Sequence, residues 1–482
     1  MEQGFTLKVL IINPPWEVKD GYGCRSNSRW PHIRKDKHLA FPIYLGHVAA
    51  VLEKEGIETK VIDAVAEEYD SEKLVSVVDS EKPDICFIET STPTIYQDLR
   101  NAKLLKESIK TEIFLFGAHV TTFHWQIMEE NRFLTGIIRG EFEYIIRDIA
   151  LQRPYHEILG LTFRKKSSPH QIIANKDRPL IENLDELPFP AWHQFDLSVY
   201  DSFLHRSPSI IMVTSRGCPF HCTFCLWPNV LYGHKQRFRS PESVCKEMEI
   251  LINKYGMREI KFDEDTFALN KKRVIALCDE IIKRGYHKKI VWNCFGHITQ
   301  NDREMYEKMA IAGCVRIAFG IESGSQKILD MIKKKIDMEK AQETISICKI
   351  LGIETYCTFM VGFPHETEED IKQSIGTAIK LDPDFIQVSY VVPYPGTQMY
   401  NEGVREKGLV HPEKWENYCS TDPAIFTGEI SPRRVKQLYY LFWRRFYLRS
   451  KYAFKILRRL FKSPEEFKKV IRGFLSFYKR FL

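Results

Sequence analysis

The sequence predicts an α/β protein with three parts: an N-terminal doubly wound parallel sheet, a full or partial βα barrel and a C-terminal basic helical region. Three observations support this. Short apolar runs alternate with amphipathic segments over the first 150 residues, and the same alternation restarts near residue 209. After residue 430, 16 lysines and arginines stand against only two acidic residues. We therefore place the domain boundaries at 1–150, 151–200, 201–410 and 411–482.

The first part contains five strand candidates separated by single helical segments. Such strands pair in parallel through right-handed crossovers, and a doubly wound sheet binds its ligand at the carboxyl ends of its strands. A hairpin is expected at 160–180 and a Pro-rich linker at 183–192. The strand candidates are residues 8–12, 59–64, 85–90, 112–117 and 136–141, and the helix candidates are residues 43–56, 71–82, 98–109 and 121–131.

Six further strand candidates follow the linker, again with helical segments between them. Six βα units exceed one open nucleotide-binding half, so they favour a full or partial barrel whose chemistry lies at its carboxyl mouth. The tail from about Ser431 is predicted to form two or more helices. The six strand candidates are residues 209–215, 258–264, 289–295, 315–321, 354–361 and 385–392.

Composition limits the class of protein. With 44% hydrophobic and 28% charged residues, the chain is typical of soluble globular proteins. Its N-terminus has no leader pattern and no run approaches 18 apolar residues, so we expect neither export nor a bilayer-spanning helix. We therefore predict a cytoplasmic, reducing location where disulfides are rare. Nine of the twelve cysteines are scattered singly and are expected to be buried thiols.

The other three cysteines, Cys218, Cys222 and Cys225, lie together in SRGCPFHCTFC (215–225), directly after the first barrel strand. A structural zinc site normally has four ligands, and no fourth is evident here. A disulfide would leave one thiol over. A [4Fe–4S] cluster with three cysteine ligands keeps one iron open for a substrate or cofactor. The spacing therefore predicts these three cysteines as cluster ligands.

This array, with Phe224 before the third cysteine, resembles the signature of radical S-adenosylmethionine (SAM) enzymes. Four later segments resemble motifs of the same family, and each falls at a βα junction. The resemblance covers about residues 205–410 and implies a partial (β/α)6 barrel. The four segments are IKFDEDTFALN (260–270), AGCVRIAFGIESGS (312–325), MVGFPHETEED (360–370) and VVPYPGTQMY (391–400).

The resemblance also implies a set of SAM-binding residues. For two of them, Glu322 and Ser323, the alternative is a strand-end hydrogen bond and a helix N-cap. The family's chemistry implies an electron donor such as flavodoxin or ferredoxin, and cleavage of SAM to a 5′-deoxyadenosyl radical. The implied SAM-binding residues are Phe224, Glu264, Asp265, Gly320, Glu322, Ser323 and Gly362.

The N-terminal part, with NPP (13–15) at its first strand end, resembles the Rossmann-like cobalamin-binding domain of this family. The resemblance implies cobalamin in a crevice lined by ETSTPT (89–94), GAHVT (117–121) and RGEFE (139–143). The D-x-H-x-x-G motif of cobalamin mutases is missing, so we interpret His119 as a satisfied loop histidine near the corrin edge. A domain that binds no corrinoid is the alternative. The implied residues are Asn13, Pro14, Ser91, Thr92, Gly117, His119, Thr121, Gly140 and Glu141.

The basic tail allows three interpretations. Its aromatic residues could pack on the barrel, its helices could contact an anionic membrane surface, or it could bind nucleic acid. Nucleic acid is the least favoured, because the first part lacks the three further cysteines of tRNA methylthiotransferases and no RNA-binding β-barrel is evident. The aromatic residues are Trp443, Phe446, Tyr447, Phe454, Phe461, Phe467, Phe474, Phe477 and Phe481.

The order of the three parts resembles the anaerobic magnesium-protoporphyrin monomethyl ester cyclase-like and the hopanoid or archaeal-lipid radical SAM proteins. This implies a radical SAM enzyme that modifies an unactivated carbon of an apolar or large substrate, such as a lipid or tetrapyrrole. Cyclisation, C–C bond formation and methylation all stay open, as does peripheral membrane contact through the tail. The alternatives are an RNA-modifying enzyme, a C-methyltransferase of a small natural product and a non-enzymatic carrier of a corrinoid or cluster.

Overall fold

The strands and helices follow from a computed structural model that describes residues 7–18, 21–26, 31–34, 37, 39–200, 206–300, 302–405, 414–420 and 429–460. The strands are β1 (Lys8–Asn13), β2 (Tyr22–Cys24), β3 (His32–Arg34), β4 (Glu58–Asp63), β5 (Ile85–Glu89), β6 (Glu112–Phe116), β7 (Gly136–Ile138), β8 (Leu161–Lys165), β9 (Ser168–Ala174), β10 (Ser209–Met212), β11 (Ser215–Arg216), β12 (Arg237–Phe238), β13 (Glu259–Phe262), β14 (Val291–Gly296), β15 (Cys314–Glu322), β16 (Glu354–Val361) and β17 (Phe385–Tyr390). The helices are α1 (Ile43–Lys54), α2 (Ser71–Glu81), α3 (Ile95–Ser108), α4 (Ala118–Thr122), α5 (His124–Glu130), α6 (Glu143–Ala150), α7 (Pro241–Asn253), α8 (Lys271–Lys283), α9 (Arg303–Ile311), α10 (Gln326–Met331), α11 (Met338–Ile350), α12 (Glu368–Leu381), α13 (Gln398–Arg405), α14 (Pro432–Tyr447) and α15 (Ser450–Leu460).

The first sheet has seven strands in the order β4-β1-β5-β6-β7-β8-β9, and its first five strands are parallel. These are the five predicted strands, and the strand order reverses between β1 and β5. The predicted hairpin at 160–180 is present as β8 and β9, which extend this sheet as antiparallel strands. The predicted doubly wound fold is confirmed. The reversal point is where such sheets bind ligands.

The second sheet has six strands in the order β10-β13-β14-β15-β16-β17, all parallel and all in sequence order. Its buried side chains include Phe262, Phe267 and Trp292, whose ring centroids lie 4.9–5.5 Å apart. The sheet is open between β10 and β17. The predicted partial (β/α)6 barrel is therefore confirmed.

Helix α14 packs beside β17, at the open edge of the barrel. Its buried face includes Tyr439, which stacks on Tyr390, and Phe442, which lies 5.2 Å from Phe359 between ring centroids. Basic side chains of α14 and α15 pair with acids of the barrel, as in Arg434 with Glu368 and Lys455 with Asp384. Tyr439 and Phe442 thus pack inward, which supports the first interpretation for this part of the tail.

The rest of the tail lies largely outside the described residues, including Phe461, Phe467, Phe474, Phe477 and Phe481. Of the described aromatics, Phe454 is 56% exposed. Packing of Trp443, Phe446 and Tyr447 on neighbouring aromatic rings gives no support to the predicted membrane contact. Within the described ranges, none of the helices has the length and apolar character needed to cross a bilayer.

Candidate active site

The three predicted cluster ligands lie on one loop that connects the short strands β11 and β12. Backbone bonds hold this loop, since the amide of Cys218 donates to the carbonyl of Gly233 over 3.3 Å and that of Cys225 to Cys222 over 3.2 Å. Gly217 has φ +85°, and a Cβ there would lie closer than 3.0 Å to the carbonyl oxygen of Lys235. Glycine is therefore required at the start of the loop.

Two of the thiols, those of Cys218 and Cys222, are buried, and that of Cys225 is half-buried. Burial raises the pKa of Cys218 to about 12 and also raises that of Cys222, while the ammonium group of Lys334 acts against both shifts. Among the described residues, no three His, Cys, Asp or Glu side chains are arranged to hold a single metal ion.

Lys334 is a site residue that sequence reasoning missed. Its Nζ lies 3.3 Å from Oε1 of Glu322, and both side chains are largely buried. Burial alone would lower the pKa of Lys334, but the carboxylate of Glu322 and the thiol of Cys222 outweigh it, so the pKa is raised. The residue follows α10 within KKKI (333–336), and nothing in that run indicates which lysine turns inward.

Glu322 ends β15 in an unusual backbone conformation, with φ +66°. Left-handed backbone is uncommon for a residue other than glycine and often marks a functional turn. Two residues earlier, a Cβ on Gly320 would lie closer than 3.0 Å to Oε1 of Glu322 and 3.0 Å from Nζ of Lys334. Gly320 therefore makes room for the ion pair, and this gives its predicted place in the site a physical reason.

The two acids predicted after the second barrel strand have different surroundings. Glu264 is buried; its Oε1 accepts from the amide of Thr214 over 2.8 Å and from the hydroxyl of Thr214, and its Oε2 accepts from Ser215. Asp265 is half-buried, and its negative charge acts on Cys218. Glu264 thus fixes the strand end before the cysteine loop, whereas Asp265 lies near enough to Cys218 to act on it electrostatically.

The remaining SAM-site predictions lie on neighbouring turns. The hydroxyl of Ser323 accepts from the amide of Ser325 over 3.1 Å and contacts Ser374, which matches its alternative, local role. Gly362 has φ +88°, and its amide donates to Oε2 of Glu366 over 2.6 Å.

Phe224 is buried and lies edge-on to Phe363, with 6.5 Å between the ring centroids. The structure therefore brings the cysteines, Asp265, Glu322 and the Phe224 turn to one mouth.

At the first sheet, a charged cluster lies at the reversal point between β1 and β5. Arg25 forms a buried two-point ion pair with Asp98 and donates to the carbonyl of Glu89 over 2.7 Å. Asn13 donates to Asp63 over 2.7 Å. Pro14, beside it, is buried. Sequence reasoning missed Arg25 because it lies in the polar segment 21–33, whose β2–β3 hairpin was not predicted.

The loops after β5 and β6 meet in a second group. Oγ1 of Thr92 lies 3.3 Å from Nδ1 of His119, and the ring of Trp415 lies edge-on at 4.9 Å from the same imidazole. Burial lowers the pKa of His119 to about 3, so this histidine is neutral. Ser91 pairs with Thr94 over 2.8 Å at the start of the turn. Trp415 was not predicted, because it lies 296 residues after His119 in the sequence.

Three further predicted residues form one chain of hydrogen bonds. The hydroxyl of Thr121 donates to the carbonyl of Gly117 over 2.8 Å and accepts from the amide of Gly140 over 3.2 Å. Glu141 turns the other way, towards the barrel, where it pairs with Arg216 and Arg237. The predicted strand at 136–141 ends at Ile138. The hydrogen bonds of Glu141 go to Arg216, Arg237 and the amide of Ile181, none of which lies on the three predicted crevice loops.

The two carboxyl edges face each other. Helix α4, which follows β6, contacts the helical turn Pro228–Tyr232 that follows the cysteines. Oγ1 of Thr122 donates to the carbonyl of Pro395 over 3.4 Å, in the PYPGT turn after the last barrel strand. The crevice of the first sheet therefore opens next to the mouth of the barrel.

The residues present fit the predicted cofactors. Three thiols on a fixed loop suit an iron–sulfur cluster, and the buried cation of Lys334 offsets the charge of thiolates. At the reversal point of the first sheet, two buried polar atoms lack a protein partner: Oδ1 of Asn13 and Oε2 of Glu89. Such atoms suit a ligand rich in amides, as a corrinoid is.

Comparisons with known proteins agree with this geometry. Residues 212–378 match the family model of the Radical SAM superfamily, and residues 33–150 match that of the B12 binding domain. The chain is 30% identical over 481 residues to an uncharacterized methyltransferase of Pyrococcus horikoshii, with 98% of this chain and 99% of the relative covered.

It is 26% identical over 486 residues to an anaerobic magnesium-protoporphyrin IX monomethyl ester cyclase of Cereibacter sphaeroides, with 95% and 75% covered. Among solved structures, the cobalamin-dependent SAM radical enzyme OxsB, with aqua-cobalamin and SAM bound, superposes with a TM-score of 0.72 at 16% identity, covering 98% of this chain and 71% of that one. At that identity the likeness concerns the fold.

Proposed function

This chain belongs to the radical SAM superfamily and carries a B12 binding domain, and on that basis we propose that it is a methyltransferase acting on an unactivated carbon. It is an enzyme, and its cofactors are the three predicted ones: a [4Fe–4S] cluster, SAM and cobalamin. Methyl transfer is preferred to cyclisation because the relative matched over 99% of its length carries a methyltransferase name.

When bound, the cluster and SAM supply a 5′-deoxyadenosyl radical that takes hydrogen from a C–H bond, and cobalamin supplies a methyl carrier. The thiols of Cys218, Cys222 and Cys225 would hold three irons. The ammonium group of Lys334 would pair with the carboxylate of SAM, and Glu322 beside it would accept hydrogen bonds from the ribose or amino end. The protein's part is to orient these groups and to exclude water.

The observation that carries this proposal is the contact between the two carboxyl edges. A methyl group can pass between two bound cofactors and a substrate only if their sites adjoin. The contact of α4 with the turn after the cysteines, and that of Thr122 with Pro395, support such an arrangement. A carrier protein without catalysis would not need a crevice and a barrel mouth that face each other.

The substrate in this proposal is the predicted apolar or large small molecule. The cyclase relative is named for a magnesium tetrapyrrole, which supports a substrate of that size and polarity. Like radical SAM enzymes in general, the protein needs an electron donor, for which flavodoxin or ferredoxin is the predicted class. We propose no RNA substrate, because the basic side chains described on α14 and α15 include several that pair with acids of the barrel.

The test uses SAM with a trideuterated methyl group, added anaerobically to the reconstituted full chain with reductant and hydroxocobalamin. We expect 5′-deoxyadenosine in solution and label in the corrinoid fraction, both measured by mass spectrometry. Deoxyadenosine without label in the corrinoid would favour the cyclase alternative and overturn methyl transfer.

The site assignment is tested with two cysteine variants. Cys222→Ala should lose the iron of the cluster and form no deoxyadenosine. Cys245→Ala, a substitution of a buried thiol on α7, should keep both, because it lies away from the loop. Deoxyadenosine formation by Cys222→Ala at the wild-type rate would contradict the assignment of the cluster.

A further inference from the structure

The base of the cysteine loop carries two arginines directly opposite each other. Strands β11 and β12 form an antiparallel pair in which Arg216 faces Arg237, and the two side chains are 2% and 1% exposed. Like charges opposite each other destabilise such a pair, and a buried charge without a partner is more costly still. The loop that holds the cysteines therefore needs negative charge from elsewhere.

That charge comes from the N-terminal part of the chain. Glu141 lies 2.7 Å from Arg216 and 2.9 Å from Arg237, and Glu143, at the first turn of α6, lies 2.6 Å from Arg216. Both carboxylates are nearly fully buried. Two positive and two negative charges thus balance in a single group, which we call the four-charge clamp (Glu141, Glu143, Arg216, Arg237).

The clamp lies between the crevice and the cysteines. On the crevice side, Glu141 follows Gly140, whose amide donates to Thr121, and Thr121 donates to Gly117. On the barrel side, Arg216 precedes Cys218 by two residues. Contacts are therefore continuous from the predicted cobalamin loops to the first cluster ligand.

We propose that Glu141 and Glu143 are positioning residues through which the cobalamin site and the cluster loop are energetically coupled. The proposal rests on the proposed function, because it requires that both cofactors bind. Cobalamin in the crevice would favour the conformation of loop 139–143 in which Glu141 and Glu143 reach the two arginines. A cluster bound by the cysteine loop would favour the same conformation, because it fixes the position of Arg216. Such coupling is reciprocal.

The test compares two dissociation constants for hydroxocobalamin, measured by absorbance on the full chain without the cluster and after anaerobic reconstitution. In the wild type we expect the cluster to tighten binding at least about fivefold, the low end of typical coupling between sites. In Glu143→Gln, which removes one carboxylate from Arg216, this ratio should fall to within about twofold of unity, and Glu143→Asp should restore part of it.

The matched control is Asp148→Asn. Asp148 is a buried acid on the same helix, and it pairs with Arg178 over 2.7 Å and Arg147 over 2.9 Å, away from the cysteine loop. It should keep the wild-type ratio and iron content. If Glu143→Gln loses its iron while the control retains it, the ratio is measured on Glu143→Asp, where it should lie between the wild-type value and unity; a wild-type ratio there would count against the clamp.

Three results would overturn the proposal. A wild-type ratio within twofold of unity would mean that the sites are not coupled. A normal ratio in Glu143→Gln would mean that the clamp does not carry the coupling. Equal loss of iron in Glu143→Gln and Asp148→Asn would indicate general destabilisation of the N-terminal part. Failure of the wild type to bind any cobalamin would instead contradict the proposed function, and with it this inference.

Discussion

The substitution Gly320→Ala tests the ion pair of Glu322 and Lys334 without touching either charge. Gly320 lies near the end of β15 and its φ is not positive, so alanine can adopt its backbone conformation. The new Cβ would lie closer than 3.0 Å to Oε1 of Glu322, 3.3 Å from its Cδ and 3.0 Å from Nζ of Lys334. The carboxylate must therefore move away from the ammonium group.

The size of the effect on SAM binding follows from the hydrogen bond to Lys334 that the Glu322 carboxylate would lose. A hydrogen bond to a charged group contributes about 1.5–3 kcal/mol, so SAM affinity should fall by about 10- to 150-fold if SAM needs this pair in place. The obstacle is the end of a flexible side chain, so the free energy of unfolding should fall by at most about 3 kcal/mol. Iron content should stay at the wild-type level, because the cysteine loop is not displaced.

The assay is anaerobic equilibrium dialysis of SAM against the reconstituted protein, with denaturant unfolding of the same samples. Gly376→Ala is the matched control, because Gly376 lies within α12 and a Cβ there meets nothing within 4 Å. It should leave SAM affinity unchanged and raise stability by about 0.5–1 kcal/mol. SAM affinity of Gly320→Ala within twofold of wild type would refute the role given to the ion pair.

Three further predictions concern stability. Burial raises the pKa of Glu366 from 4.5 to about 8, so the folded protein binds this proton more tightly than the unfolded chain does. The free energy of unfolding should therefore fall as pH rises from about 4.5 to 8. In Glu366→Gln the slope of unfolding free energy against pH should be smaller over this range, by up to about 1.4 kcal/mol per pH unit. Arg25→Met leaves Asp98 buried without its partner and should cost about 3–5 kcal/mol in urea unfolding, and a cost under 1 kcal/mol would contradict the buried pair. Phe442→Ala removes a fully buried ring and should lower the free energy of unfolding by about 3–5 kcal/mol. Phe454→Ala, at a ring that is 56% exposed, should lower it by under about 0.5 kcal/mol. Equal effects of the two substitutions would contradict the packing of α14 on the barrel.

The fold was predictable because its signals are local. Buried parallel strands appear as short apolar runs, and the helices between them have one apolar face. For this reason all five strands predicted for the first sheet and all six predicted for the second are present. The β2–β3 hairpin was missed because its segment is polar and irregular. The aromatic spacing of the tail could not distinguish packing on the barrel from membrane contact, since both need an amphipathic helix. The contacts of Tyr439 and Phe442 with barrel residues separate the two.

The site was predictable where chemistry fixes the spacing along the chain. Three thiols on one short loop are a local pattern, and so is the GIESGS turn with Glu322. Lys334 and Trp415 could not be found in this way, because one is a lysine among three and the other reaches His119 only through the tertiary fold. Cofactor sites at the meeting of two domains depend on such distant contacts, so sequence reasoning recovers the loops better than the side chains that complete them.

The same contacts bear on which motif residues hold ligands. Both carboxylate oxygens of Glu264 already accept hydrogen bonds within the protein, and Glu141 pairs with two arginines. A carboxylate used in this way would have to give up a buried partner before it could bind a cofactor, at a cost of about 3–5 kcal/mol for a buried ion pair. We therefore expect SAM to contact the half-buried Asp265 and also Glu322, whose ion pair with Lys334 uses Oε1 and not both carboxylate oxygens. The acids beside them hold the loops in place. A sequence motif thus contains both residues that contact the cofactor and residues that hold its loops in place. The hydrogen-bond and ion-pair partners of each side chain distinguish the two kinds.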